Sequence, residues 1–245
     1  MGIGTWFKSA GKNLYFPGCL TKGALKEELE NYKQIFNKLG IDFVMLPNDE
    51  VCCSLPVLNA GYKKDAKKLA QKNLDLFKKY GVGRIITNCP SCYHTFKTVY
   101  PELVKGWDIE VEHVTQVILK SLKEKIKNYS FEEKEVVAYH DPCHLGRYEG
   151  IYDEPREIIH LLGGEIKEMT HNKENSLCCG GGGGVRANFR ELATSIAKLR
   201  VSEMSKDSEK IISPCGLCFK NLQSATNKSE EFSSFVLRKL KEMGK

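Results

Sequence analysis

No stretch of the chain approaches the roughly 18 consecutive apolar residues of a membrane span. Met1 to Leu14 lacks an apolar core long enough for a secretory leader. Trp6 stands where a myristoylation signal would need serine or threonine. Glycines 180–184 are followed by Val185-Arg186 and not by Lys-Ser/Thr, so they do not form a nucleotide phosphate loop. There is no flavin or nicotinamide fingerprint and no ferredoxin-type Cys-x-x-Cys-x-x-Cys run. Basic residues are not interleaved with aromatics and zinc-finger spacing is missing, which argues against nucleic acid as a partner.

Cysteine, by contrast, is plentiful: 10 in 245 residues. They fall into two sets of identical layout. The first is Cys19, the pair Cys52 and Cys53, then Cys89-Pro-Ser-Cys92. The second is Cys143, the pair Cys178 and Cys179, then Cys215-Gly-Leu-Cys218. The offset is 124 for the first member and 126 for the other four, and no cysteine is left over. The chain is therefore two copies of one unit of roughly 125 residues.

Five thiols per unit need a reason. A disulfide framework uses even numbers and belongs to small secreted domains, whereas a chain with 41% hydrophobic residues can bury a core without staples. One zinc takes four ligands, so the fifth thiol would be surplus. A thioredoxin-like site needs one Cys-x-x-Cys and leaves the adjacent pairs unexplained. Soft thiolates in such clusters favour iron–sulfur chemistry in at least one unit. Zinc in one or both units and inert core cysteines are the alternatives. Free thiols in this number point to a reducing compartment: the cytoplasm, or the cytoplasmic side of a membrane-associated complex.

The fold expected is α/β, with two tandem units, each a small parallel sheet flanked by helices. The units span residues 1–130 and 131–245, with the link at about 128–133. In the first, strands are expected at Leu14–Phe16, Ile41–Leu46, Arg84–Thr87 and Trp107–His113. Helices lie between them, closed by Gly40, Gly81 and Pro101, with Val114–Lys127 last. In the second, strands are expected at Val136–Tyr139, Glu165–Met169 and Lys210–Ser213, and helices through Ile158–Leu162, Val185–Met204 and Glu230–Lys241. Strands alternating with helices make the sheets parallel. The cysteines then fall at strand C-terminal ends, where such sheets place ligands. Charge is uneven: residues 1–127 hold 20 Lys+Arg against 13 Asp+Glu, and residues 128–245 hold 17 against 18. The excess lies largely between Lys63 and Lys79, as a solvated helix face or a docking surface for an acidic partner.

Two further features bear on chemistry. Gly180, Gly181 and Gly182 suit a backbone that passes close to a bulky cofactor and aims N–H groups at its sulfurs. The matching stretch of the first unit starts with Ser54, so the two sites should differ. His140 and His144 flank Cys143, and histidine is a plausible proton donor near pH 7. His94 has a weaker case. His113, His160 and His171 read as structural or exposed.

Tyr15-Phe-Pro-Gly-Cys19, Tyr139-His-Asp-Pro-Cys-His-Leu-Gly-Arg147 and Asn175-Ser-Leu-Cys-Cys followed by glycines 180–184 closely resemble the cysteine-rich CCG family. That family includes heterodisulfide reductase catalytic subunits and the iron–sulfur subunits of glycolate and lactate oxidases. The resemblance implies non-cubane 4Fe–4S clusters, each held by five cysteines. One would be ligated by Cys19, Cys52, Cys53, Cys89 and Cys92, the other by Cys143, Cys178, Cys179, Cys215 and Cys218. Ser54 departs from the family's Cys-Cys-Gly, and zinc is the alternative in the first unit. The implied activity is reduction of a small disulfide, or oxidation of a thiol. Electrons would come from a partner subunit carrying ferredoxin-type clusters or flavin. The alternatives are a relay beside a flavin-dependent dehydrogenase of the glycolate or lactate type, and a zinc-stabilised assembly subunit.

Overall fold

The computed structural model describes residues 11–46, 51–125, 131 and 133–244. In the first half β1 (Lys12–Tyr15) leads to α1 (Gly18–Ala24), α2 (Lys26–Leu39), α3 (Leu55–Asn59) and α4 (Lys63–Tyr80). Then come β2 (Val82–Thr87), α5 (Pro90–His94), a π-helical turn (Thr95–Val99), α6 (Tyr100–Leu103), β3 (Glu110–His113) and α7 (Val114–Lys125). The second half has β4 (Glu135–Tyr139), α8 (Asp153–Leu161), β5 (Gly164–Ile166), α9 (Val185–Asn188) and α10 (Arg190–Ser202). It closes with β6 (Lys210–Ser213), α11 (Gly216–Leu222), β7 (Ser229–Glu231) and α12 (Phe232–Glu242).

Both sheets are parallel, ordered β1-β2-β3 and β5-β4-β6-β7. A lone bridge from Leu14 to Val44 adds an edge to the first sheet where β5 stands in the second. The expected strand at 41–46 shrinks to that bridge. Its segment has a neighbour on one side alone, and hydrogen bonds join it to β1 at Val44 N–H to Asn13 and Tyr15 N–H to Val44. Pro101 does not stop its helix. It sits in the first turn of α6, after the wider π turn, where its missing N–H costs no ladder bond. The helix expected over 185–204 breaks at Phe189, whose backbone (φ −136°) leaves the helical region. The start of the last expected helix is instead β7, which pairs with β6. The link at 128–133 lies largely outside the described residues, as do residues 126 and 127 of the expected helix and most of the N-terminal stretch 1–14.

Helix α2 shows how the sequence builds the core. Tyr32, Ile35, Phe36 and Leu39 recur at helical spacing and are buried, and Gly40 caps the helix in the left-handed region (φ 61°). Helices α2 and α7 from the first half meet α12 and α8 from the second, α2 on α12 and α7 on α8. One apolar cluster runs through this layer, from Tyr15 and Ile86 of the first sheet to Val137, Tyr139 and Ile212 of the second. The outer faces have separate clusters. One places Leu74 and Phe77 of α4 on Ile85; the other places Val201 and Met204 beside Ala138 and Ile211.

A buried polar contact crosses the same layer. Tyr32 donates from its hydroxyl to Glu231 at 2.9 Å, and the Ser233 N–H and hydroxyl donate to the other carboxylate oxygen. Burial pushes the Glu231 carboxyl up to about 7, against the hydrogen bonds that lower it. The folded chain thus holds a proton that the unfolded chain releases above the ordinary carboxylate range. Stability should fall as pH rises from about 4.5 to about 7, by about 3 kcal/mol. Urea denaturation at several pH values should show this decline, and Glu231→Gln should flatten it. An unchanged slope in the variant would remove Glu231 as its source.

Candidate metal centres

Each cysteine set gathers at the C-terminal ends of parallel strands. Chain leaving β1 and β4 carries Cys19 and Cys143, and chain leaving β2 and β6 carries Cys89 and Cys215. Helices α5 and α11 start directly after Cys89 and Cys215, so one helical turn brings Cys92 and Cys218 back toward them. The adjacent pairs arrive on loops, Cys52–Cys53 before α3 and Cys178–Cys179 before α9. All ten are free thiols.

Within each set the thiols act on one another's acidity in the same linear order. In the first it runs Cys19, Cys52, Cys53, Cys92, Cys89. In the second it runs Cys143, Cys178, Cys179, Cys218, Cys215, with Cys179 and Cys218 sulfurs 3.2 Å apart. Sharing hydrogens splits the acidities. The Cys143 bond, with that of Cys179, pulls Cys178 down to about 2, while the Cys178 bond and burial push Cys179 up to about 12. Cys53 is likewise lowered by its bonds from Cys52 and Cys92. Cys92 is raised by its bonds to Cys53 and Cys89.

Backbone N–H groups favour the thiolate form in both adjacent pairs. Gly180 and Gly181 donate to Cys178 and Cys179 at 3.4 and 3.3 Å. Ser54 and Leu55 do the same for Cys52 and Cys53. What forbids a side chain at 180 and 181 is protein. A Cβ on Gly180 would lie 2.8 Å from Ile196, and one on Gly181 would lie 3.0 Å from the Leu217 carbonyl. At Gly182 a Cβ would meet nothing within 4 Å, so close approach does not explain that glycine. Ser54 takes the same left-handed backbone (φ 76°) as Gly180 (φ 81°), so the departure from Cys-Cys-Gly leaves the loop shape intact. Sequence reasoning missed Gly18, whose Cβ would come within 3.2 Å of the Cys92 sulfur and whose φ is +77°. The Pro17-Gly18 turn was its available signal.

The histidines separate. His140 is buried, its Nδ1 accepts from Arg200 Nε at 3.0 Å, and burial with the Arg200 charge pushes it down to about 3. A ring nitrogen of His140 and the Cys179 and Cys218 sulfurs lie within 4.8 Å of one another. His144 is half-buried, with Nδ1 3.5 Å from the Cys143 sulfur, and burial and His94 hold it below its usual range. His94, two residues after Cys92, reaches the other unit. Its Nδ1 is 2.6 Å from Glu149, its ring 5.8 Å from that of His144 and 5.0 Å from Tyr148, which stacks on His144. Lys97 and Thr98 also hold Glu149. On the opposite side, α11 presses on α1 so closely that a Cβ on Gly216 would lie 2.4 Å from Leu25. Each Cys-x-x-Cys helix thus touches the segment carrying the other unit's first cysteine.

Other supporting residues escaped the sequence reading. Asp141 takes a two-pronged bond from Arg156 (2.7 and 2.8 Å) and accepts from Lys173 N–H, tying the β4 exit to the loop before Cys178. Asn221 donates to the carbonyls of Cys179 and Ala193. Arg200 is wholly buried. Its signal was position, since it lies seven residues after Ala193 and three after Ala197 on one helix face.

The donor sets suit a thiophilic group. Each offers five thiols at one end of its sheet, and in the second two buried donors, His140 Nε2 and Arg200 Nη2, make no hydrogen bond to a described residue. Fold and sites together define a duplicated parallel α/β protein with two five-thiol centres. The model of the CCG cysteine-rich domain matches it twice, at residues 13–97 and 137–223, and the chain belongs to that family.

Among its relatives is one subunit of the dihydromethanophenazine:CoB–CoM heterodisulfide reductase of Methanosarcina acetivorans. The two are 35% identical over 216 residues, covering 85% of this chain and 53% of that one. The chain is 31% identical to an EtfAB:quinone oxidoreductase of Syntrophomonas wolfei, covering 89% of this chain and 32% of the other. To one subunit of the fumarate reductase (CoM/CoB) of Methanothermobacter marburgensis it is 28% identical, covering 87% and 42%. It thus spans about half the length, or less, of these relatives.

The glycine contacts lead to a stability test. Gly180→Ala should cost about 1–3 kcal/mol, from the left-handed backbone and the overlap with Ile196. Ser54→Gly keeps the backbone shape and should change stability by less than about 1 kcal/mol, strain relief offsetting glycine's larger entropy loss. Equal losses on denaturant unfolding would show that the two loops are not built alike.

Proposed function

We propose that the chain is an iron–sulfur oxidoreductase subunit of heterodisulfide reductase type, with a non-cubane 4Fe–4S cluster in each five-thiol set. The observation that carries this is the pair of five-thiol sets, placed alike at the strand ends of two related sheets on either side of one shared border. The ligands would be Cys19, Cys52, Cys53, Cys89 and Cys92 in one unit, and Cys143, Cys178, Cys179, Cys215 and Cys218 in the other. Such clusters, when bound, supply one-electron carriers with iron open to sulfur ligands. The protein's part is to hold the sulfurs, shield them and move protons. Gly180 and Gly181 offer N–H groups to the sulfurs. His144, half-buried beside Cys143, is the proton donor toward a departing thiol, and His140 keeps its ring neutral and bonded to Arg200. The substrate is a small disulfide, and electrons come from a partner with ferredoxin-type clusters or flavin. The unit boundary is placed at residues 130 and 131.

A second reading, an electron relay beside a flavin-dependent dehydrogenase, draws on the relative named as an EtfAB:quinone oxidoreductase. Turnover with a disulfide, set against one-way reduction by a flavoprotein, tells the two apart. Among the described residues no helix is long and apolar enough to cross a membrane.

Protein prepared without oxygen should be brown, with iron and acid-labile sulfide in near-equal amounts. Cys179→Ser should remove the second set's cluster and the disulfide turnover. A colourless chain that binds only zinc would end the redox reading.

Partner docking has its own test. The lysines of α4 at 63, 64, 67, 68, 72, 78 and 79 are exposed. If they receive an acidic partner, reduction by that partner should slow as salt rises past about 0.15 M, where the screening length is roughly 8 Å. Charge reversal at Lys64, Lys68 and Lys79 should slow association and leave the cluster spectrum alone. A salt-independent rate would make this helix a solvated face.

A further inference from the structure

The two thiol sets differ in what stands behind them. In the second, Arg200 projects from α10 into the interior and donates from Nε to His140 Nδ1 at 3.0 Å. Its Nη1 donates to the His171 carbonyl at 2.7 Å and pairs with Glu203. A ring whose Nδ1 accepts a hydrogen bond carries its proton on Nε2. That Nε2 is buried and makes no hydrogen bond to a described residue. A ring nitrogen of His140 lies within 4.8 Å of the Cys179 and Cys218 sulfurs. Arg200 therefore fixes the tautomer of a ring that borders the sulfurs.

In the first unit the same two places are apolar. Phe16 stands 124 residues before His140, and Leu74 stands 126 before Arg200. Both are buried in the cluster that contains Cys53 and Cys92, the counterparts of Cys179 and Cys218. A leucine fills the helix position without loss of fold, so packing does not call for the arginine.

We propose that Arg200, acting through His140, is a positioning residue that makes the second set's cluster the easier of the two to reduce. Adding an electron raises the negative charge on the sulfurs, and an N–H aimed at them stabilises the reduced form, as does a nearby cation. Glu203 offsets part of the arginine's charge, so the oriented N–H carries the larger share. The proposal rests on the second set holding an iron–sulfur cluster.

The test is a redox titration of the whole chain, loaded anaerobically and followed by electron paramagnetic resonance. The second set's signal is the one lost in Cys179→Ser. Arg200→Leu and His140→Phe install the first unit's residues. Each should make the second signal about tenfold harder to reduce, about 59 mV for one electron, and leave the first signal in place. The double variant should shift no further than either alone, because the arginine acts through the ring. Arg200→Lys should recover part of the loss. An unmoved second signal in loaded variants, or single shifts that add in the double, overturns the proposal. If neither variant folds, the unsubstituted ring still answers. In chain labelled with 15N-histidine and carrying His144→Ala, the second signal should show a nitrogen coupling by pulsed resonance, and its absence overturns the proposal. A chain with no iron at its second set defeats the underlying reading and this one with it. A loaded chain with unmoved potentials defeats this one alone.

Discussion

Sulfurs this close to one another constrain everything around them. Two negative charges 4 Å apart repel by about 1 kcal/mol in water and about 4 kcal/mol where the effective dielectric constant is near 20. Each set holds five thiols, so full ionisation would stack several such terms, more than the single buried Arg200 behind the second set could balance. Proton sharing is the metal-free compromise, and it shows as acidities pushed apart along the line, Cys178 down and Cys179 up. Backbone N–H groups at Gly180 and Gly181 relieve the strain only in part, since each is a single dipole against a full charge. A multivalent, sulfur-loving centre resolves it for all five at once.

Parallel strands are what bring the sulfurs to one edge. Because β1 and β2 run the same way, their exits lie side by side, and Gly18, next to Cys19, comes against Cys89 and Cys92 without any long loop. Duplication repeats this in the second sheet. The shared layer of α2, α7, α8 and α12 then fixes the two sheets to each other through one continuous core. As a result the borders of the two sites interlock, with His94 against Glu149 and Tyr148 on one side and Gly216 against Leu25 on the other.

The sequence was most legible where spacing carries the information. The offsets among ten cysteines gave the repeat, and apolar residues at helical spacing gave α2 and α4 nearly to their ends. It was least legible where one residue's backbone choice decides. Nothing in the pattern around Phe189 announces that the helix breaks there, and the segment around Val44 reads as a strand although its edge position leaves it one bridge. The glycine run was read as room for a cofactor, whereas Ile196 and Leu217 supply the crowding at 180 and 181. The polar scaffold around the second site was illegible for a different reason. Asp141, Arg156 and Asn221 act over separations of 15 to 42 residues, which no local window contains.

Comparison within the chain recovers some of what a local window cannot. The two units have the same strand order, the same thiol order and the same loop shape after the adjacent cysteines, down to the left-handed backbone at Ser54 and Gly180. Against that constancy a change of chemistry stands out. A buried guanidinium is costly to desolvate unless paired, and one of its nitrogens here makes no hydrogen bond to a described residue. The first unit avoids that cost with Leu74 and Phe16 in the same places and keeps its own five thiols in line. The fold thus works with either arrangement. The difference between the units lies in the electrostatic surroundings of the sulfurs: among the described residues, the second site is the one backed by a buried arginine bonded to an imidazole.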